Sequence, residues 1–182
     1  MGFFSWFRSK PPVADPAYSV MNDDHIRLYQ LLGEMRQAVG SRGDNGADRE
    51  GKRQRLLDVA QRLINETVEH FLREEALMLL HGYAGAKAHR AEHRTLVRNI
   101  RGYYSRLAAG TAPITEDVSQ QFKTWLAGHI RTTDRELERF LFSVNNRRDI
   151  QAQFAPGHTD MAHFLAMVDK LRTAPPDEEP AA

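Results

Sequence analysis

Five histidines and a handful of carboxylates hold the chemistry this sequence could do. His89 and His93 lie four residues apart, a spacing that puts both imidazoles over one turn of one helical face, where they can share a metal ion. His70 and Glu74 repeat that geometry with one nitrogen and one carboxylate. His25 and His129 fall singly, each in an apolar stripe where Leu or Ile would otherwise sit. Burying a neutral imidazole with unpaired nitrogens costs about 1–3 kcal/mol, so five of them would consume a typical domain's stability unless something binds them. One metal centre can satisfy all five. Imidazole suits iron, copper, nickel and zinc, and a carboxylate can bridge two ions. Five histidines with one or two acids therefore point to a two-metal transition-metal site. The chain has no cysteine, which excludes disulfides, iron–sulfur clusters, thiolate zinc and thioether-attached haem. The other histidines, His81, His158 and His163, have no such company and read as surface or packing residues.

Helices have to position these side chains. The stripe His25, Leu28, Leu32, Met35, Val39 advances by threes and fours and predicts a helix over about 20–39, preceded by a linker marked by Pro11, Pro12 and Pro16. Gly40 to Gly51 carries four glycines and nothing apolar larger than Ala47, the composition of a solvated loop. A second helix over about 52–80 carries Leu56, Ala60, Leu63, Thr67, His70, Glu74 and Met78. After Gly82 and Gly85 a third presents His89, His93, Leu96, Ile100, Tyr103 and Leu107, ending before Gly110, where a left-handed cap is cheap. A fourth, with Thr115 as N-cap, carries Val118, Phe122, Trp125, His129, Thr132, Glu136 and Phe140 to about Asn145. A shorter fifth pattern, Met161, Phe164, Leu165, Val168 and Leu171, follows Gly157 and packs on the outside or an end of the others. No segment alternates in the manner of a strand and no internal repeat is present, so the fold class is all-α.

Composition narrows the function. At 182 residues, 41% hydrophobic and 27% charged, the chain has room for one compact unit and is too apolar to be disordered. Lys and Arg number 25 against 24 Asp and Glu, too even a balance for a nucleic-acid partner. No apolar run, Ala76 to Leu80 included, approaches the roughly 18 residues of a spanning helix, so no transmembrane segment is expected. Phe3, Phe4, Trp6 and Phe7 precede Arg8 and Lys10, the reverse of a signal peptide's order, which makes the cytoplasm the default location. Residues 3–10 could make a weak contact with a membrane surface, or dock on the body of the protein or stay loose. The tail from Ala174, rich in Pro and acid, has a mobile composition.

Four features together resemble the hemerythrin family, specifically its bacterial single-domain members, over about Asn22 to Asn145. They are the isolated His25, the run His70-Phe-Leu-Arg-Glu74-Glu75 followed by Leu77-Met78, His89-x-x-x-His93, and Trp125-Leu126-x-x-His129-Ile130-x-x-x-Asp134. The resemblance implies an up-and-down four-helix bundle over 20–145 and leaves both ends uncovered; composition and periodicity alone make 1–19 an aromatic and basic segment plus linker, 146–173 an additional C-terminal helix and 174–182 a tail. It implies a non-haem di-iron centre, Fe2+ or Fe3+ with an oxo or hydroxo bridge, held by His25, His70, Glu74, His89, His93, His129 and Asp134, the two carboxylates bridging both irons. Five imidazoles, two bridging carboxylates and that bridge leave one position of a six-coordinate pair open, where dioxygen binds reversibly for carriage, storage or delivery. Leu126, three residues before His129, matches a leucine that covers the dioxygen pocket; ordinary core packing is equally compatible with it. The glycine-rich loop is longer than usual for the family, and Ala84 stands where the family often has proline.

Helix geometry does not lead to Asp134. Five residues after His129 it lies about 140° around an ideal helix, whereas Glu136, at seven, lies almost beneath His129. Spacing favours Glu136; Asp134 rests on the resemblance, with a local distortion as one way to accommodate it. Nor does the sequence settle whether His70 or another histidine joins His89 and His93 at one iron. Two other functions compete with an oxygen-binding protein that is not an enzyme. One is a dioxygen or redox sensor, or partner-binding module, using the same centre and meeting a signalling partner or an oxygen-requiring enzyme. The other is a zinc metallopeptidase on His89-x-x-Glu92-His93 with Glu92 as base, which leaves His25, His70 and His129 unexplained. A ferritin-like oxidase is disfavoured, because no histidine has Glu three residues before it.

Overall fold

A computed structural model describes residues 16–40, 46–144 and 159–173. It contains helices α1 (Pro16–Gly40), α2 (Gly46–Leu80), α3 (Ala86–Ala108) and α4 (Glu116–His129), a π-helical turn (Ile130–Asp134), α5 (Arg135–Val144) and α6 (Thr159–Thr173), with no strand among the described residues. The expectations for residues 3–10, 146–158 and the acidic tail fall outside them.

Three boundaries differ from the sequence reading. α1 begins at Pro16, inside the expected linker, because a first helical turn leaves unpaired the N–H that proline lacks. α2 begins at Gly46, inside the expected loop. Its early turns are held by a salt link from Arg53 Nε to Glu50 Oε2 (2.8 Å), and Arg53 Nη1 also donates to the carbonyl of Ala108 at the end of α3 (3.0 Å). The long fourth helix is interrupted by the π turn. Elsewhere the punctuation holds: Gly82 (φ 64°) and Gly110 (φ 71°) take the left-handed conformation that ends α2 and follows α3. Thr115 is the extended residue before α4, but its side chain makes no capping bond, and the acidic Glu116 and Asp117 meet the helix's positive end instead.

Cross-helix pairs fix the topology. Glu34 meets Arg62 while Asp24 meets Arg73, so α1 and α2 run antiparallel. Arg53 reaches Ala108 while Glu75 meets Arg90, reversing α3 against α2. Tyr103 reaches Pro113 and contacts Phe122, while His129 meets Glu92, reversing α4 against α3. Arg36 meets Glu116 while His25 meets Asp134, closing α4 back on α1. The result is an up-and-down four-helix bundle. Two apolar clusters fill it. The larger runs from Leu28, Leu32 and Met35 through Leu56, Leu63, Leu96 and Leu107 to Leu126 and Ile130. The smaller joins Met21, Ala76, Leu77, Met78, Leu137 and Leu141 to Val168 and Leu171 of α6, which packs along α2 and covers that end. Among the described residues, no helix is long and apolar enough to cross a membrane.

Candidate metal centre

Between the two apolar clusters lies a polar layer. Each helix supplies it in the same way: His25 of α1 falls between Met21 and Leu28, His89 and His93 of α3 between Ala86 and Leu96, and Asp134 between Ile130 and Leu137. His25, His70, Glu74, His89, His93, His129 and Asp134 are all buried, Glu74 and Asp134 to 0% exposure. All seven residues drawn from the sequence meet in this one layer.

The two carboxylates divide their oxygens. Glu74 Oε1 faces His70 Nε2 (3.6 Å), and its Oε2 faces His89 Nε2 (3.6 Å) and His93 Nε2 (3.2 Å). Asp134 Oδ2 faces His25 Nε2 (3.2 Å), and its Oδ1 faces His89 Nε2 (3.2 Å) and His129 Nε2 (2.9 Å). Two adjoining donor sets result: His25 and His70 with both acids, and His89, His93 and His129 with both acids, the donor atoms of each lying within 4.8 Å of one another. His129, not His70, joins His89 and His93.

Asp134 rather than Glu136 enters the layer because of the π turn. Its wider i→i+5 hydrogen bonding brings the fifth residue round nearly beneath the first, so Asp134 comes under His129, whereas Glu136 is exposed. Side chains take up carbonyls along the distortion: Thr132 Oγ1 donates to the carbonyl of Gly128 (2.9 Å) and Arg131 Nε to that of Ala127 (3.2 Å).

The outer faces of three imidazoles meet carboxylates that the sequence reading did not single out for this role. His129 Nδ1 lies 2.8 Å from Glu92 Oε2, which also accepts from Thr133 Oγ1 (3.0 Å). His93 Nδ1 lies 3.1 Å from Glu75 Oε1, itself held by Arg90. His70 Nδ1 lies 3.4 Å from Asp24 Oδ2, which Arg73 holds at 2.7 Å. Each partner comes from a neighbouring helix or a different turn, so no spacing along one helix announces it. Glu92 is 49% exposed in its side chain and stands behind His129, outside the donor layer. That position does not suit the base of a peptidase acting on a His89–His93 ion. Stacking completes the walls, with Phe71 parallel to His93 (centroids 3.6 Å apart) and Trp125 parallel to His129 (4.8 Å). Leu126 is buried in the larger apolar cluster beside this layer.

Electrostatics mark the layer as a site for cations. Around His89, burial works against the charged ring, but contacts with Asp134 and Glu74 outweigh it and raise the imidazole to about 9. Burial loses the same contest at His70, against the charges of Glu74, Asp134 and Asp24, and at His129, against Asp134 and Glu74. Burial likewise disfavours the charge of Glu74 and Asp134, yet the imidazoles hold both carboxyls below the usual carboxylate range. Even so, both oxygens of Glu74 and Asp134, and the Nε2 atoms of all five histidines, are buried without a properly formed hydrogen bond. Buried polar atoms are ordinarily paired, so this set of inward-facing donors fits transition-metal ions, which would take up those lone pairs.

An antiparallel four-helix bundle enclosing two adjoining sets of imidazole and carboxylate donors defines the class of this protein. The family model described as the hemerythrin HHE cation binding domain matches residues 17–141, and the chain belongs to the hemerythrin family. It is 30% identical over 116 residues to a bacteriohemerythrin of Methylococcus capsulatus, covering 63% of this chain and 80% of that one. It is 29% identical over 120 residues to a bacteriohemerythrin of Pseudomonas aeruginosa (63% and 69% covered) and 32% identical over 117 residues to myohemerythrin-1 of Phascolopsis gouldii (64% and 80%). No solved structure matches the chain significantly. α6 lies beyond the matched residues.

Proposed function

We propose that the layer holds two non-haem irons and that the protein binds dioxygen reversibly, for carriage, storage or delivery, as a binding protein and not an enzyme. The observation that carries this reading is the division of Glu74 and Asp134, each turning one oxygen to the His25–His70 set and the other to the His89–His93–His129 set. A carboxylate so placed is built to bridge two ions. His25 and His70 would hold one iron, His89, His93 and His129 the other, and Glu74 and Asp134 both. Iron held there supplies a redox-active Lewis acid that can take up dioxygen and give it back.

The chain's own residues supply the rest. Glu92 and Glu75 fix the ring orientation of His129 and His93 and, by accepting at Nδ1, leave Nε2 free to donate its lone pair inward, while Asp24 sets a charge 3.4 Å behind Nδ1 of His70. Phe71 and Leu126 line the layer with apolar surface that keeps bulk water from it. The layer is buried between two apolar clusters, which suits a diatomic ligand far better than a polypeptide or other bulky substrate. Residues 16–144 then form the metal-binding bundle, α6 is an addition that closes one end, and a cytoplasmic location accords with the redox chemistry.

Metal analysis joined to an absorption spectrum under air tests the reading. Two irons per chain, with visible charge-transfer bands that vanish when oxygen is removed and return when it is restored, are expected. One zinc per chain with no visible absorption, or bands that bleach once and do not return, would contradict it.

A further inference from the structure

Away from the metal layer, a groove of about 860 Å3 runs between α3 and α4. Its α3 wall is cationic: Arg98 and Arg106 both line it, and neither is paired with a carboxylate among the described residues. Gly102, in the middle of α3, lies between them, and Arg106 folds back over it, with its Nη1 3.5 Å from where a Cβ on Gly102 would stand. Glycine there costs roughly 1 kcal/mol of helix stability against alanine, and what it leaves is open groove beneath the Arg106 guanidinium, while Arg98 reaches back along α3 to donate from Nη2 to Thr95 Oγ1 (3.4 Å). The opposite wall is aromatic, with Phe122 and Trp125 of α4, and Tyr103 of α3 makes an edge contact with Phe122. One face of the Trp125 indole is covered by His129, so the surface it gives the groove is what that stack leaves. Asp117 also lines the groove and leaves its two cations in excess.

Concave sites of this size that combine ring surfaces with a few charged donors suit small molecules carrying a flat apolar body and an ionised end. Aromatic walls take up a planar ring by stacking, and guanidinium pairs grip phosphate or carboxylate through charge-assisted hydrogen bonds. We propose that this groove binds a planar aromatic anion, its ring against Trp125 and Phe122 and its phosphate or carboxylate between Arg98 and Arg106. Such a ligand sits one stacking contact from His129, so its occupancy bears on the orientation of that ring. The proposal uses no property of the metal and stands or falls separately from the iron reading.

Flavin mononucleotide is the probe, with riboflavin as the plane without the phosphate and inorganic phosphate as the anion without the plane. The full chain as isolated is titrated by equilibrium dialysis, and Trp6→Phe leaves Trp125 as the single tryptophan reporting by fluorescence. Saturable binding of flavin mononucleotide with quenching of Trp125 is expected, with riboflavin and phosphate each about tenfold weaker or worse. Arg98→Ala and Arg106→Ala, both at exposed positions, should each weaken binding about tenfold with unchanged far-UV circular dichroism. Gly102→Leu should abolish binding while raising the thermal midpoint, which separates occlusion of the groove from loss of fold. No saturable binding, binding indifferent to both arginine substitutions, or riboflavin or phosphate binding as tightly as the nucleotide would overturn the proposal.

Discussion

Asp134→Asn, set against Glu136→Ala, tests the π turn that separates the structure from an ideal helix. Asp134 is wholly buried and faces the imidazoles of His129, His89 and His25 at 2.9, 3.2 and 3.2 Å. Asparagine keeps the shape and removes the charge, leaving a buried cationic ring without its partner, a loss of about 3–5 kcal/mol when one member of a buried pair is removed. Glu136 is exposed, and its removal should cost no more than about 0.5 kcal/mol. In urea denaturation of chelator-stripped protein at pH 6, with a slope near 2 kcal/mol per molar, the Asp134→Asn midpoint should fall by roughly 2 M and that of Glu136→Ala hardly at all. The pH dependence has a definite sign. His89 is raised to about 9 in the folded chain, so the stability from its charged form is complete below its ordinary value of 6.5 and fades as pH rises through about 9. The gap between wild type and Asp134→Asn should therefore narrow between pH 6 and pH 10. An unchanged Asp134→Asn midpoint at pH 6, an equal loss from Glu136→Ala, or a gap that widens with pH would refute the reasoning.

Further outcomes follow from the same geometry. Glu92→Gln should weaken iron binding about 10–100-fold in competition with a chromophoric chelator, while the metal-free protein keeps its urea midpoint, because Glu92 only orients His129 from the half-exposed side. Leu126→Ala should lower stability by about 2–5 kcal/mol in chemical denaturation and let water reach the layer, seen as faster decay of the iron centre's visible bands under air. In α6, Leu171→Ala should cost about 2–5 kcal/mol, since that side chain is buried in the smaller cluster. Arg172→Ala, which removes an exposed pair with Glu69, should cost less than about 1 kcal/mol in the same denaturation series.

Much of this arrangement is legible along the chain because a helix converts spacing into direction. His70 with Glu74, and His89 with His93, sit at i and i+4, so each pair was bound to share a face, and the apolar residues flanking them told that this face is buried. Asp134 was opaque for the complementary reason: a π turn breaks the relation between spacing and direction, and the Thr132-Thr133 pair is a faint signal of it. The grouping of His129 with His89 and His93 depends on which helices lie side by side, and so do the outer partners Asp24, Glu75 and Glu92. Those are properties of packing rather than of any one segment. The start of α2 at Gly46 was hidden because a glycine-rich composition predicts a loop, while the tie from Arg53 to the end of α3 is a tertiary contact.

Diffraction from crystals of the iron-loaded protein at energies on either side of the iron absorption edge asks the central question most directly. Two anomalous peaks are predicted within the bundle, one beside His25 and His70, the other beside His89, His93 and His129, with Glu74 and Asp134 between them. A single peak, peaks that do not change across the iron edge and grow only above the higher-energy zinc edge, or no peak in this layer would contradict the account.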